Sequence, residues 1–138
     1  MMNFVLAALM LLWQFPVAPK DIPKNNPNGI WEATTGSRFE LRLTGSNLSV
    51  KIVPGSNARF KEYELDLKNL EEPNTYKGTG HFVAKLANSK ECRFDTEWHI
   101  VVVTDDKIIG AATNIEPDPE TCKVLQSYQI QLDLSRKK

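Results

Sequence analysis

The residues with the most distinctive chemistry in this 138-residue chain are two cysteines, Cys92 and Cys122, and two histidines, His81 and His99. Their spacing limits what they can do. A thiol-redox centre wants its cysteines as close as C-x-x-C, and these are not. In an exported chain an isolated pair is expected to form one structural disulfide. Neither histidine stands among further ligands at the spacing a zinc site requires, so no metal is expected. Asp95 and His99 share the outward face of one strand. Four residues of extended chain separate them by about 13 Å, too far for a hydrogen-bonded acid–base pair. No nucleophile has a base within reach, no two carboxylates flank a plausible cleft, and no glycine-rich loop could cradle a phosphate. The residue types therefore speak against an enzyme and call for no cofactor. Asn47-Leu48-Ser49 is a glycosylation sequon, which a eukaryotic secretory pathway could use at Asn47.

Charge gives no lead toward a partner. Seventeen Lys and Arg balance seventeen Asp and Glu, so nothing draws the chain to nucleic acid or to an anionic membrane. Residues 4–13 form an apolar run of about ten, far short of the ~20 needed to cross a bilayer and suited to a signal-peptide core. We expect a signal peptide over residues 1–18, an extended Pro- and Asn-rich leader over 19–28, and one domain over 29–138. Secretion or transfer to a periplasm follows, with no integral membrane span in the mature chain.

From Gly29 onward apolar and polar residues alternate with period two, and no helical stretch interrupts them. Gly45-Ser46 reads as a two-residue hairpin turn that sets Leu43 opposite Leu48, Leu41 opposite Val50 and Phe39 opposite Ile52, all on one face. The turn at residues 34–36 sets Trp31 opposite Phe39. Asp105-Asp106 as a turn sets Val102 opposite Ile109 and Trp98 opposite Thr113. Around Asn88, Leu86 would meet Cys92 and Gly80 would meet Trp98. About eight strands on short connections predict an all-β fold, a single antiparallel up-and-down barrel, with a two-sheet sandwich as the alternative.

In such a meander, parity assigns each turn to one end. Gly29-Ile30-Trp31, the turn Thr104-Asp105-Asp106 and Arg136 all fall at the end where the first strand starts, the floor. This set resembles the lipocalin signature: Gly-x-Trp on the first strand, Thr-Asp-x after the sixth, and a basic residue after the eighth. The resemblance implies that Arg136 stacks on Trp31 and closes the floor by a cation–π contact. Asp106 stands where lipocalins carry an aromatic, and no lid loop or terminal helix follows their pattern. Gly29-x-Trp31-x₄-Gly36-Ser37 also resembles the opening strand and turn of avidins. There Ser37 matches a biotin-contacting position, while Ala33 replaces a polar contact. Both resemblances are to calycin-like small barrels.

The opposite end is the expected mouth. Inward positions near it include Phe39, Tyr63, Phe82, Phe94, Thr96, Thr113, Gln126 and Tyr128, an apolar wall with a few hydroxyls and an amide. Trp98, with Gly29, Trp31 and Arg136, is assigned a structural role. This pattern suits a small lipophilic ligand held in the barrel interior. The rival expectation is a module facing an extracellular protein, such as an inhibitor of a secreted hydrolase, or a structural envelope protein. Either would act through the mouth loops.

Overall fold

Period-two alternation is realised as eight antiparallel strands: β1 Gly29–Ala33, β2 Arg38–Thr44, β3 Asn47–Ile52, β4 Phe60–Asn69, β5 Thr75–Lys85, β6 Glu91–Thr104, β7 Lys107–Pro117 and β8 Val124–Arg136. They come from a computed structural model that describes residues 22–138. The expected signal peptide lies outside the described residues. Each strand pairs with its sequence neighbours, and β1 also pairs with β8, so the sheet closes into an up-and-down barrel rather than a sandwich. The described residues contain no helix.

Inward phase and burial agree along most strands. On β6, Cys92, Phe94, Thr96, Trp98, Ile100 and Val102 are all buried, and the residues between them are not. Trp31, Leu48, Val50, Leu67, Ile108 and Leu134 fill the lower barrel. Each such aliphatic side chain removed from water stabilises by about 1.5–3 kcal/mol before chain entropy is charged against it. The β2–β3 hairpin has the expected register, with Leu43, Leu41 and Phe39 opposite Leu48, Val50 and Ile52. Trp31 lies opposite Phe39. Asn47 is exposed beside the floor hairpin, where its Oδ1 accepts a hydrogen bond from Lys68 Nζ at 3.2 Å.

Two registers differ from expectation. Between β5 and β6, Ala84 faces Cys92 and Gly78, not Gly80, faces Trp98. The chain turns one residue earlier, with Leu86 N–H bonded to Lys90 O and Ser89 in the left-handed region. A shift of two preserves parity, so the inward set survives. Between β6 and β7 the shift is one. A bulge between Val102 and Thr104 sets Val102 opposite Ile108 and Trp98 opposite Ala112. One extra residue in one strand exchanges the faces of the other. Ile108 and Ala112 therefore point inward, while Ile109 is exposed.

The leader does not trail away from the barrel but lies across its floor. Asn25 Nδ2 donates to the carbonyls of Val102 and Val103, and its backbone N–H to Asn74 Oδ1. Trp31 Nε1 donates to Pro27 O at 2.8 Å. The Arg136 guanidinium lies 4.4 Å from the Trp31 ring centroid and donates to the carbonyls of Asn26, Asn28 and Asp105. One cation thus ties leader, first strand, sixth turn and last strand together. Arg136→Met keeps the aliphatic stem but removes the charge and leaves the three carbonyls to water. It should lower stability by at least about 2 kcal/mol, since the cation–π contact is worth ~0.5–2 and a single hydrogen bond to a charged group ~1.5–3 net of water. Denaturant unfolding followed by Trp fluorescence checks this; an unchanged midpoint would mean the clamp adds nothing.

Candidate functional site

Above the floor the interior is packed with aromatic rings. Phe39 meets Tyr63 and Trp98 edge-on at 5.3 and 5.1 Å between centroids. Phe60 meets Tyr63 and Phe82 in the same manner at 5.1 and 5.4 Å. Tyr63 stacks on Phe82 at 5.3 Å. Edge-to-face contacts of this kind set the positive ring edge against the negative face and add to the burial of area. The polar atoms inside are paired. Trp98 Nε1 donates to Tyr63 Oη at 3.0 Å, and Thr96 Oγ1 donates to the Thr113 carbonyl at 2.9 Å. Burial pushes the Tyr63 phenol above its ordinary value, and the hydrogen bond from Trp98 only partly offsets this. Among the described residues no buried side-chain nitrogen or oxygen lacks a partner.

The barrel wall opens on one side of the mouth. Strand β1 pairs with β8 only through Trp31, Glu32 and Ala33, opposite Arg136, Ser135 and Leu134. Beyond Ala33 the chain leaves for the β1–β2 turn, while β8 runs on without a neighbour on that side among the described residues. The gap is a cleft of about 520 Å³. Phe39, Phe60, Tyr63 and Trp98 form its inner end, and Ile130 and Leu132 of β8 form one flank. Ala33, Thr34, Thr35 and Ser37 of the first turn face them, with Ser56, Asn57 and Arg59 of the β3–β4 loop above. Ser37 is buried and accepts from Asn57 Nδ2 at 2.6 Å, so two loops are locked together at the rim. The first turn holds its shape because Gly36 takes a φ of +95° and donates to Ala33 O.

The residues expected to bind a ligand divide into three groups. Phe39, Tyr63 and Thr113 border the cleft. Thr113 does so with its hydroxyl turned outward, however, since the β6 bulge exchanges the faces of β7; Oγ1 accepts from Gln129 Nε2 at 3.1 Å. Phe82, Phe94 and Thr96 are buried inside the ring cluster and do not line the cleft. Gln126 and Tyr128 are exposed rather than enclosed, because no β1 residue stands opposite them. Asn57, Phe60, Ile130 and Leu132 were not singled out from the sequence. Their role depends on where β1 ends relative to β8, for which no local pattern exists.

A disulfide joins Cys92 to Cys122, with Cα atoms 5.5 Å apart. It pins the β7–β8 loop against the start of β6. The same loop is held by Asn88 Nδ2 donating to Pro119 O and Lys90 Nζ to Glu120 O. Within it the amides of Glu120 and Thr121 donate to Asp118 Oδ1 and hold that carboxyl below its usual range. On the outer wall Glu62, Glu64 and His81 bring possible metal-ligating atoms within 4.8 Å of one another. His81 Nε2 already lies 3.1 Å from Glu62 Oε2, and Lys51 is the cross-strand partner of Glu64. His81 thus already has a partner inside the cluster.

The fold and the cleft define an eight-stranded up-and-down barrel, compatible with the calycin-like class, with an aromatic interior and a side opening at the mouth. No protein family, no curated protein and no solved structure matches the chain.

Proposed function

We propose that the protein is an exported binding module that takes one small, mainly apolar molecule into the mouth cleft. The observation that carries this is the cleft itself. Its 520 Å³ falls within the ~300–1,000 Å³ of ligand sites, and an aromatic end with a few fixed polar groups is their usual composition. Rings supply affinity, while Ser37 and Asn57 at the rim would orient a hydroxyl or amide of the ligand. The ring cluster already fills the deep interior, so the ligand belongs above it and not at the barrel axis. The disulfide supports an oxidising compartment. The Arg136 contact on Trp31 supports the lipocalin-like reading of the floor.

The test is titration with a neutral naphthylamine probe. One site per chain is expected, with energy transfer from Trp98 at the inner end. Ala33 lines the cleft, so Ala33→Trp should fill it and weaken binding at least ~10-fold, the loss of roughly 1.4 kcal/mol or more. Equal affinity in a folded Ala33→Trp variant would place the probe elsewhere. No uptake by the parent would favour the second reading, a module that meets another protein through its mouth. That reading draws on the disulfide-pinned loop and on the exposed Val124, Leu125, Tyr128 and Ile130.

A further inference from the structure

We infer that a second copy of this chain pairs with the open edge of β8, antiparallel, and supplies the wall that the mouth cleft lacks. Lys137 N–H bonds to Ile30 O on β1, whereas Arg136 N–H bonds to Asp106 O on the other side. Alternation along the strand then aims the N–H and C=O groups of Ser127, Gln129, Gln131 and Asp133 at the side where β1 has ended. The β7–β8 ladder is regular from Gln126 to Ser135, so this edge is straight and complete.

Past the bulge at Leu125, residues 126–132 of the edge carry none of the usual protection. A free edge normally bears a lysine, a proline or a bulge that discourages a further strand. Residues 124–132 read Val-Leu-Gln-Ser-Tyr-Gln-Ile-Gln-Leu, nine positions without a charge, a proline or a glycine, in a chain that is 25% charged. Val124, Leu125, Tyr128 and Ile130 are exposed there. The occupant follows from the charges that bracket the segment: Lys123 before it, and after it Asp133, which a contact with Lys107 of its own chain leaves partly exposed. Antiparallel self-pairing centred on Tyr128 brings Lys123 of each copy to the end that bears Asp133 of the other. Ser127 then meets Gln129 across the two-fold axis at the two central hydrogen-bonded pairs. A parallel arrangement would set like charge beside like. The pairing stands on the edge alone; its closing of a ligand site rests on the function proposed above.

The experiment is sedimentation of the oxidised protein over a range of concentrations. The parent should sediment as a dimer at tens of micromolar, about the level a single ladder with apolar contacts reaches. Gln129→Pro removes an N–H that faces only the open edge, so it should yield a monomer with the parent's melting temperature. Should that variant fail to fold, a charge pair decides. Ser127→Lys with Gln129→Lys, and Ser127→Glu with Gln129→Glu, should each be monomeric alone and dimerise when mixed. A parent that stays monomeric overturns the inference, whether the edge is bare or another segment of the same chain covers it. So does a dimer that survives Gln129→Pro and both charge variants. A monomer that still takes up the naphthylamine probe refutes the pairing and leaves the cleft reading intact. A dimer that takes up none refutes the cleft reading and leaves the pairing.

Discussion

Gly80→Ala should abolish the folded barrel or leave it barely stable. A Cβ built on Gly80 would lie 1.9 Å from Glu64 O and 2.6 Å from Leu65 Cα, both backbone atoms of β4. Gly78 repeats the situation two residues away, at 2.0 Å from Asp66 O. Neither residue has a positive φ, so conformational freedom is not why glycine stands there. Strand β5 coils so tightly against β4 that the inward position has no volume for a methyl group, as happens where a small barrel turns a corner. Accommodating one means parting the two strands and losing ladder bonds on either side. Overpacking alone costs about 1–3 kcal/mol, and the lost bonds and separated side chains raise this to several, against a net stability of roughly 5–15. Gly36→Ala is the contrast. That residue does have a positive φ but no atom within 4 Å of the added carbon, and the strain there should amount to only ~1 kcal/mol. Urea midpoints of the two variants decide the point. Similar small losses in both would show that β5 can move outward freely.

Opening the Cys92–Cys122 bridge should have the next largest effect. The bridge closes a loop of 30 residues in sequence separation, for which loop-closure entropy gives about 3.7 kcal/mol. In a domain of this size that corresponds to a fall in melting temperature of roughly 10–15 °C. Denatured protein should show no free thiol until reductant is added, and reduction or the double Cys92→Ala, Cys122→Ala variant should lower the melting temperature by that amount. The loss should be local before it is global. The bridge and the bonds from Asn88 and Lys90 hold the β7–β8 loop, and the upper half of β8 has no strand beyond it among the described residues. Hydrogen exchange in residues 124–130 should therefore accelerate in the reduced protein while the floor stays protected. A melting temperature that does not respond to reductant would mean that side-chain contacts alone hold the loop.

How much of this was legible in the sequence depends on the range over which each signal acts. The β2–β3 register was readable because a two-residue turn and three apolar pairs agree on one alignment. The inward set of β6 was readable because side-chain parity is a property of each strand by itself. A two-residue error at the Asn88 turn left that set unharmed. The bulge near Val103 was not readable, since Val101, Val102 and Val103 are alike in size and polarity and any of them could be the extra residue. Thr113 was assigned to the wrong face for that reason alone. The Arg136 contact on Trp31 came from resemblance, whereas two of its three carbonyl partners, Asn26 and Asn28, depend on where the leader runs.

The candidate site lies further from the sequence than the fold does. Tyr63 and Phe39 stand at inward positions, and parity finds them. Asn57 and Ser37 are twenty residues apart in different loops and meet at 2.6 Å only once the barrel has closed. By itself, then, the sequence determined the strands, most of their inward faces and the cysteine pair, because alternation, turn chemistry and compartment act over a few residues or over the whole composition. Tertiary structure alone decided that β1, with 5 residues, would meet β8, with 13, at its lower end. Strand lengths carry no mutual information until the sheet curls and its first and last members come together. The excess of β8 over β1 then becomes at once the cleft, its exposed flank and the open edge.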